Sequence, residues 1–496
     1  MAVNPKKLRP YDEPPRVRRP LVPSRPDSAA TAFLVVAVLW LVVATGLGAL
    51  WASMLSFPDQ LRFTTEVQVP IIGALPIEIS DATVFSAFMN ALVFGWLSNA
   101  AFAAILFITP RITGTRLVGE QMAWGGMALW NLGVASIVVI AYLPALSTGG
   151  RLALLGVLVI GLLLLALLNV NAAFWRTVLA SRERLPYVSI WFFGLALLAF
   201  MGAVALSAAG QAAAIFINLD ATAVALVDAF GARLIATYWI LGAALGTLFY
   251  IIPRATLNAL SSGGMALAAW LLWAGLSGIS GLGALIDTSV PFVVTSIGNV
   301  GTLLLVAPVF LAVGSLAMTM HGRWSMALSA GTVSFAVVSI AFLLASALLE
   351  AIGALRSVQG LVHGTEWMTG VMIFSAMGAA TFAFFAFIDH AAPRMFRRDW
   401  ADTVLTEAQL WAGFAGATLG GLALIGAGIA HGSLMRDGAP PDQLSGTLLW
   451  FRLVAAGGLG LTALGAVCVL GTLFLMYTTA RRAEYALVDA APAAGH

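Results

Sequence analysis

The chain has 496 residues, of which 60% are hydrophobic and 9% charged, and its formal net charge is +3. A soluble chain carries about 25% charged residues, so an ordinary soluble domain is excluded. So is a nucleic-acid partner, which would call for a basic surface interleaved with aromatic side chains. The single cysteine, Cys468, excludes a disulfide framework or thiolate cluster within the chain.

Residues 1–30 are rich in Pro and Arg and lack a short apolar core with a cleavage site. They read as a disordered cytoplasmic tail, not a signal peptide. Apolar stretches of about 20 residues, the length that crosses a bilayer as a helix, then follow one another. Twelve helices are expected near 31–56, 82–108, 122–146, 153–178, 188–209, 229–252, 263–285, 293–319, 325–351, 366–389, 407–431 and 447–479. The predicted fold class is an all-α membrane protein, with one twelve-helix domain over 31–479 and a second cytoplasmic tail over 480–496. The 50 glycines fall mostly inside these helices, where they favour close helix packing.

Of the 25 Lys and Arg residues, all but Arg62, Arg151, Arg233, Arg356, Arg436 and Arg452 fall in the tails or in the loops on their side. The positive-inside rule then puts both termini in the cytoplasm. The expected setting is a bacterial-type inner (plasma) membrane, with the lipid bilayer as first partner.

Several stretches of the central helices carry a common pattern. The second helix contains Phe88-Met89-Asn90-Ala91 and, further on, Asn99; the fifth opens Tyr187-Val188-Ser189-Ile190-Trp191-Phe192-Phe193-Gly194. The sixth closes Tyr250-Ile251-Ile252-Pro253-Arg254, and the seventh holds Trp273-Ala274-Gly275. Leu361-Val362-His363-Gly364-Thr365-Glu366-Trp367 precedes the tenth helix, which closes with Pro393-Arg394. In order and spacing these stretches resemble subunit I of the cbb3-type (C-family) heme-copper oxidases over most of residues 80–400.

The resemblance implies a heme-copper oxidase subunit I-like bundle and places the metal ligands of the family. Low-spin heme ligands fall at Phe88 and within Val371 and Ile373, which also cover the high-spin heme. Copper ligands fall at Arg233, Ser277 and Gly278, and the redox-active tyrosine at Leu271. The family needs six histidines there; this chain has His321, His363, His390, His431 and His496, none of them at those positions. An iron porphyrin needs an axial donor, and Phe, Val and Ile have none. No heme, copper or catalytic residue is therefore expected, and the chain reads as a non-catalytic or partner subunit of a respiratory complex, beside other membrane or cytochrome c-like subunits. Heme would require unconventional ligands such as Met368 and Met372. A secondary transporter is the alternative; it would need internal repeats, helices broken in mid-membrane and polar groups at depth, for which Asn90, Asn99, Asn131, Asn169 and Asn171 are candidates. Phe88, Val371, Ile373 and Phe374 are expected to fill the space between the helices. Arg233, costly at membrane depth unless paired, is expected either to pair with Glu350 or Asp287 or to reach out to water.

Overall fold

A backbone amide left unbonded in hydrocarbon costs several kcal/mol, so a lipid-embedded chain of this composition closes its hydrogen bonds within helices. The computed structural model describes residues 26–478, other than 70–72, 144–152, 182–185, 218, 286–289, 330 and 401–402. The tails expected over 1–30 and 480–496 lie outside the described residues, except that 26–30 open the first helix. Asp287 also lies outside them.

Twelve helices among the described residues are long and apolar enough to cross a membrane. They are α1 (Ser28–Ser56), α2 (Asp81–Thr113), α3 (Glu120–Ile140), α4 (Leu154–Leu179), α5 (Val188–Phe216) and α6 (Thr222–Thr256). The second half comprises α7 (Gly263–Gly283), α8 (Phe292–Thr319), α9 (Thr332–Ala354), α10 (Trp367–Phe396), α11 (Val404–Arg436) and α12 (Gln443–Thr478). The all-α membrane bundle is therefore the observed fold, with adjustments at the boundaries. Helix α6 starts at Thr222, ahead of the expected 229, and α9 starts at Thr332 because Trp324–Leu328 form a separate 3₁₀ turn. Helix α8 is interrupted at Leu305, between Phe292–Leu304 and Val306–Thr319. Pro308 explains the break: it has no N–H for the carbonyl four residues back, and its ring crowds that carbonyl.

An unexpected β-hairpin joins α1 to α2. Strands β1 (Phe63–Val69) and β2 (Gly73–Ile79) pair antiparallel, Phe63 opposite Ile79 and Val67 opposite Leu75. A bond from Glu78 N–H to the Tyr142 carbonyl, 3.0 Å, ties the hairpin to the end of α3. The hairpin marks one face of the bundle; the start of α1 and the end of α12 mark the other.

Burial ranks the helices. In α2, α6 and α10, 89% of the most apolar window is buried, against 28% in α3 and α4. The first three form the centre. Polar side chains in the apolar interior join helices to one another. Asn99 on α2 and Asn131 on α3 exchange amide bonds of 3.1 and 3.0 Å, and Trp40 Nε1 of α1 donates to Asn131 at 2.9 Å. Interhelical bonds of this kind contribute roughly 0.5–2 kcal/mol each. Asn169 and Asn171 instead donate to carbonyls of their own helix, at Leu165 and Leu167. On the terminal face, Glu120 accepts from Ser28 Oγ (2.6 Å) and from Ala29 N–H (2.8 Å), a negative charge at the positive end of α1. Beside it Arg111 grips Asp27 through two bonds of 2.9 Å.

Helices α10 and α11 cross with almost no side chain between them. A Cβ on Gly428 would collide with the backbone nitrogen of Trp367, whereas one on Gly457 of α12 would meet open space. Gly428→Ala is expected to lower the thermal midpoint in detergent, by an overpacking cost of about 1–3 kcal/mol. Gly457→Ala should be neutral or stabilising by up to about 1 kcal/mol through helix propensity. Equal midpoints for the two variants would remove the close crossing from the account of stability.

Candidate functional site

The three central helices share a feature that their sequences do not advertise. Each contains one widened, π-helical stretch: Ala91–Leu97 in α2, Ile235–Leu241 in α6 and Ile373–Ala380 in α10. Such stretches are rare and concentrate at functional sites. Phe88, Arg233, Val371 and Ile373 sit just before or at the opening of these segments, so the positions singled out by the sequence coincide with the irregular turns.

The α10 segment touches the other two, and a relay of side chains ties the three helices. Ser98 Oγ donates to the Val93 carbonyl, five residues back, at 2.7 Å, and Thr381 Oγ1 donates likewise to the Ala376 carbonyl at 2.8 Å. Each hydroxyl also accepts an indole N–H from a neighbouring helix: Trp239 of α6 to Ser98 at 2.8 Å, and Trp96 of α2 to Thr381 at 2.9 Å. A third indole, Trp130 of α3, reaches the Phe94 carbonyl at 2.9 Å. Sequence reasoning missed these residues; the available signal was Trp, Ser and Thr embedded in otherwise apolar helices.

Apolar side chains fill the space at the opening of the α2 and α10 segments. Phe88 is fully buried, stacks on Trp51 with ring centroids 6.2 Å apart, and lies over Gly48 of α1, where a Cβ would stand 2.9 Å from its ring. Val371 and Ile373 are buried, and Phe374 packs edge-on against Phe342 with centroids 5.3 Å apart. Two cavities border the central helices, each about 20 Å³, one against α2 and α10 and one against α6 and α9. Met368 is 56% exposed on the outside of α10 and Met372 is half-buried.

Helices α6 and α7 meet beside the positions singled out on α7. Tyr238 of α6 donates its hydroxyl to the Ala274 carbonyl at 2.5 Å, and the same oxygen would stand 3.1 Å from a Cβ on Gly278. Ser277 is fully buried and its hydroxyl has no hydrogen-bond partner. Leu271, by contrast, is 56% exposed and points away from the interior. Arg233 resolves in favour of pairing: its Nη2 lies 2.7 Å from Glu350 Oε2, with both side chains mostly buried. At about 1.5 Å per residue, Arg233 stands roughly 16 Å along α6 from Thr222, too far from the helix start to count as an end residue.

The histidines are scattered. His321 and His363 are exposed, and His390 is half-buried edge-on to Tyr250. His431 joins an ion cluster on the hairpin face. Its Nδ1 lies 2.7 Å from Glu366 Oε2, while Arg452 Nη2 holds Glu366 Oε1 at 2.9 Å and Arg452 Nη1 reaches the Leu55 carbonyl at 3.4 Å. The cluster joins α1, α11 and α12 to the residue that precedes α10. Burial alone would push the Glu366 carboxyl up, but the bonds from His431 and Arg452 outweigh it and hold the group below its ordinary value. No group of three or more His, Cys, Asp or Glu able to hold a metal occurs among the described residues.

Residues 28–461 of this twelve-helix bundle match the family described as Cytochrome C and Quinol oxidase polypeptide I. The chain belongs to that family. Among its relatives, the cbb3-type cytochrome c oxidase subunit CcoN1 of Stutzerimonas stutzeri is 25% identical, over 92% of this chain and 94% of its own. Cytochrome c oxidase subunit 1 of Rhodobacter capsulatus is 23% identical, over 70% of this chain and 66% of its own. A cytochrome c oxidase subunit 1 homologue of Agrobacterium tumefaciens (strain T37) is 22% identical, over 73% of this chain and 66% of its own. The match to the cbb3-type relative thus spans nearly the whole of both chains, and with its bacterial relatives the protein is a multi-pass protein of the bacterial inner membrane type.

Two expectations follow from the charges. Arg233→Met leaves Glu350 buried and uncompensated, and should lower stability in detergent by about 3–5 kcal/mol; adding Glu350→Gln should recover part of the loss. A parental midpoint for Arg233→Met would show that the pair contributes nothing. For Glu366, whose folded value is depressed, the stabilisation is present above the ordinary value of 4.5 and is lost as pH falls through the folded value. The thermal midpoint should therefore drop below about pH 4.5 by more in the parent than in Glu366→Gln; parallel profiles would refute the linkage.

Proposed function

We propose that the protein is a subunit I paralogue that no longer binds heme or copper at the positions of its family and acts as a membrane-embedded partner subunit of a respiratory complex. The observation that carries this reading is the chemistry of six positions. The cbb3-type resemblance puts the metal-ligating histidines at Phe88, Arg233, Ser277, Gly278, Val371 and Ile373, and none of those side chains carries an imidazole or thioether donor. The residues present do not fit a porphyrin or a copper ion. Phe88, Val371, Ile373 and Phe374 pack against their neighbours where an axial ligand would have to project, and a guanidinium already paired with Glu350 repels a cation. Axial ligation by Met368 has no support from its outward orientation. The charge bias across the loops supports both termini lying in the cytoplasm.

A transporter reading draws only on the interrupted α8. Of the asparagines that it would need as a polar site, Asn99 and Asn131 are spent on interhelical bonds and Asn169 and Asn171 on own-helix bonds.

The test is the absorption spectrum of the purified chain with iron and copper analysis. The reduced-minus-oxidised difference should lack b-type bands and metal should be far below one per chain. Stoichiometric heme would refute the reading, and co-purification of cytochrome c-like subunits would support the partner role.

A further inference from the structure

The cavity of about 20 Å³ against α6 and α9 differs from a packing defect in its lining. It is bounded by Thr237 and Leu241 of α6, Trp273 of α7, Thr302 and Leu305 at the break in α8, and Ser346 and Glu350 of α9. Its polar groups have a definite arrangement of donors and acceptors. The Thr237, Thr302 and Ser346 hydroxyls each give their proton to a carbonyl of their own helix, at Arg233, Gly298 and Leu343, so each faces its surroundings as an acceptor. Glu350 commits Oε2 to Arg233, which leaves Oε1 as a further acceptor. Against these stands one donor. The Trp273 indole N–H has no partner although the residue is only 2% exposed, and the nitrogen would lie 3.7 Å from a Cβ on Gly242 of α6.

We infer that this cavity is a built water site, in which one bound water accepts from Trp273 Nε1 and donates to the Glu350 carboxylate and a neighbouring hydroxyl. A site needs about 10–15 Å³ and two to four polar partners to hold a water, and both conditions are met. The lining also selects against cations. A sodium or ammonium ion would suit the oxygens, but it would face the indole N–H and the Arg233 guanidinium, both positive. An unmatched buried indole N–H is destabilising, and a bound water removes that cost. The break in α8 supplies the room, since Leu305 and Val309 bound the same cavity.

Hydroxyl-radical footprinting of the full chain in lipid nanodiscs, in ¹⁸O-labelled water, tests the site. Leu343 and Val309 line the cavity and are each 2% exposed; Leu245 is 1% exposed and belongs to the dry core. Leu343 or Val309 should take up ¹⁸O label several-fold more than Leu245. In Ser346→Val, whose methyl groups take the space of the water, that excess should disappear. Labelling no greater than at Leu245 in the parent chain would overturn the inference without recourse to any variant. So would an excess that survives unchanged in Ser346→Val, because transient opening of the bundle would then be its source.

Discussion

Every carbonyl at the centre of this bundle must find a donor, because no bulk water is there to supply one. A regular helix meets that demand by itself. The three central helices do not: where the chain widens to five-residue hydrogen bonds, the carbonyl pattern slips and some oxygens need help from side chains. Ser98 and Thr381 provide it, and Trp239 and Trp96 hold those hydroxyls from the next helix along. The slipped carbonyls are thereby met by hydroxyls of their own helix, and each hydroxyl in turn matches an indole N–H from a neighbour. The packing of α2, α6 and α10 follows from this, because none can shift without exposing its neighbour's unmatched group.

Charge plays the same part at the edges. Arg111 with Asp27 and Glu120 with the start of α1 lock the terminal face. Glu366, His431 and Arg452 lock the hairpin face. Arg233 and Glu350 form a further mostly buried pair, whose survival among apolar neighbours depends on each charge having the other. Aromatic rings fill the remaining centre: Phe200 stacks on Trp239 at 4.5 Å, and Phe102 lies tilted against Trp239 at 5.0 Å and edge-on to Trp130 at 5.3 Å.

The bundle itself was legible because apolar runs long enough to span a bilayer have few alternative structures. Arg233 could be narrowed to three outcomes from its sequence, two partners or water, since a charge at depth needs compensation; choosing Glu350 required the fold. What stayed hidden was short or relational. The hairpin hid because two seven-residue strands lie within a segment that hydropathy treats as loop, although Glu66-Val67-Gln68-Val69 alternates. The break at Leu305 was marked by Pro308, yet prolines are tolerated in membrane helices often enough that one residue decides little. The partners of His431 stayed hidden because Glu366 and Arg452 are far from it in sequence. The indole–hydroxyl relay was invisible for the same reason, Trp96 and Thr381 being 285 residues apart.

The widened turns also act as phase shifters. A helix turns through about 100° per residue, so one extra residue absorbed in a turn rotates everything beyond it by that amount relative to an uninterrupted helix. In α10, Trp367 and Val371 on one side of the segment and Phe384 and Phe387 on the other obey different registers, although all four belong to one continuous apolar run. A single-residue deletion within Ile373–Ala380 would therefore restore a regular helix and at the same time swing its far half onto the wrong neighbours. The irregularity is what lets one long helix present two separately chosen faces to the bundle.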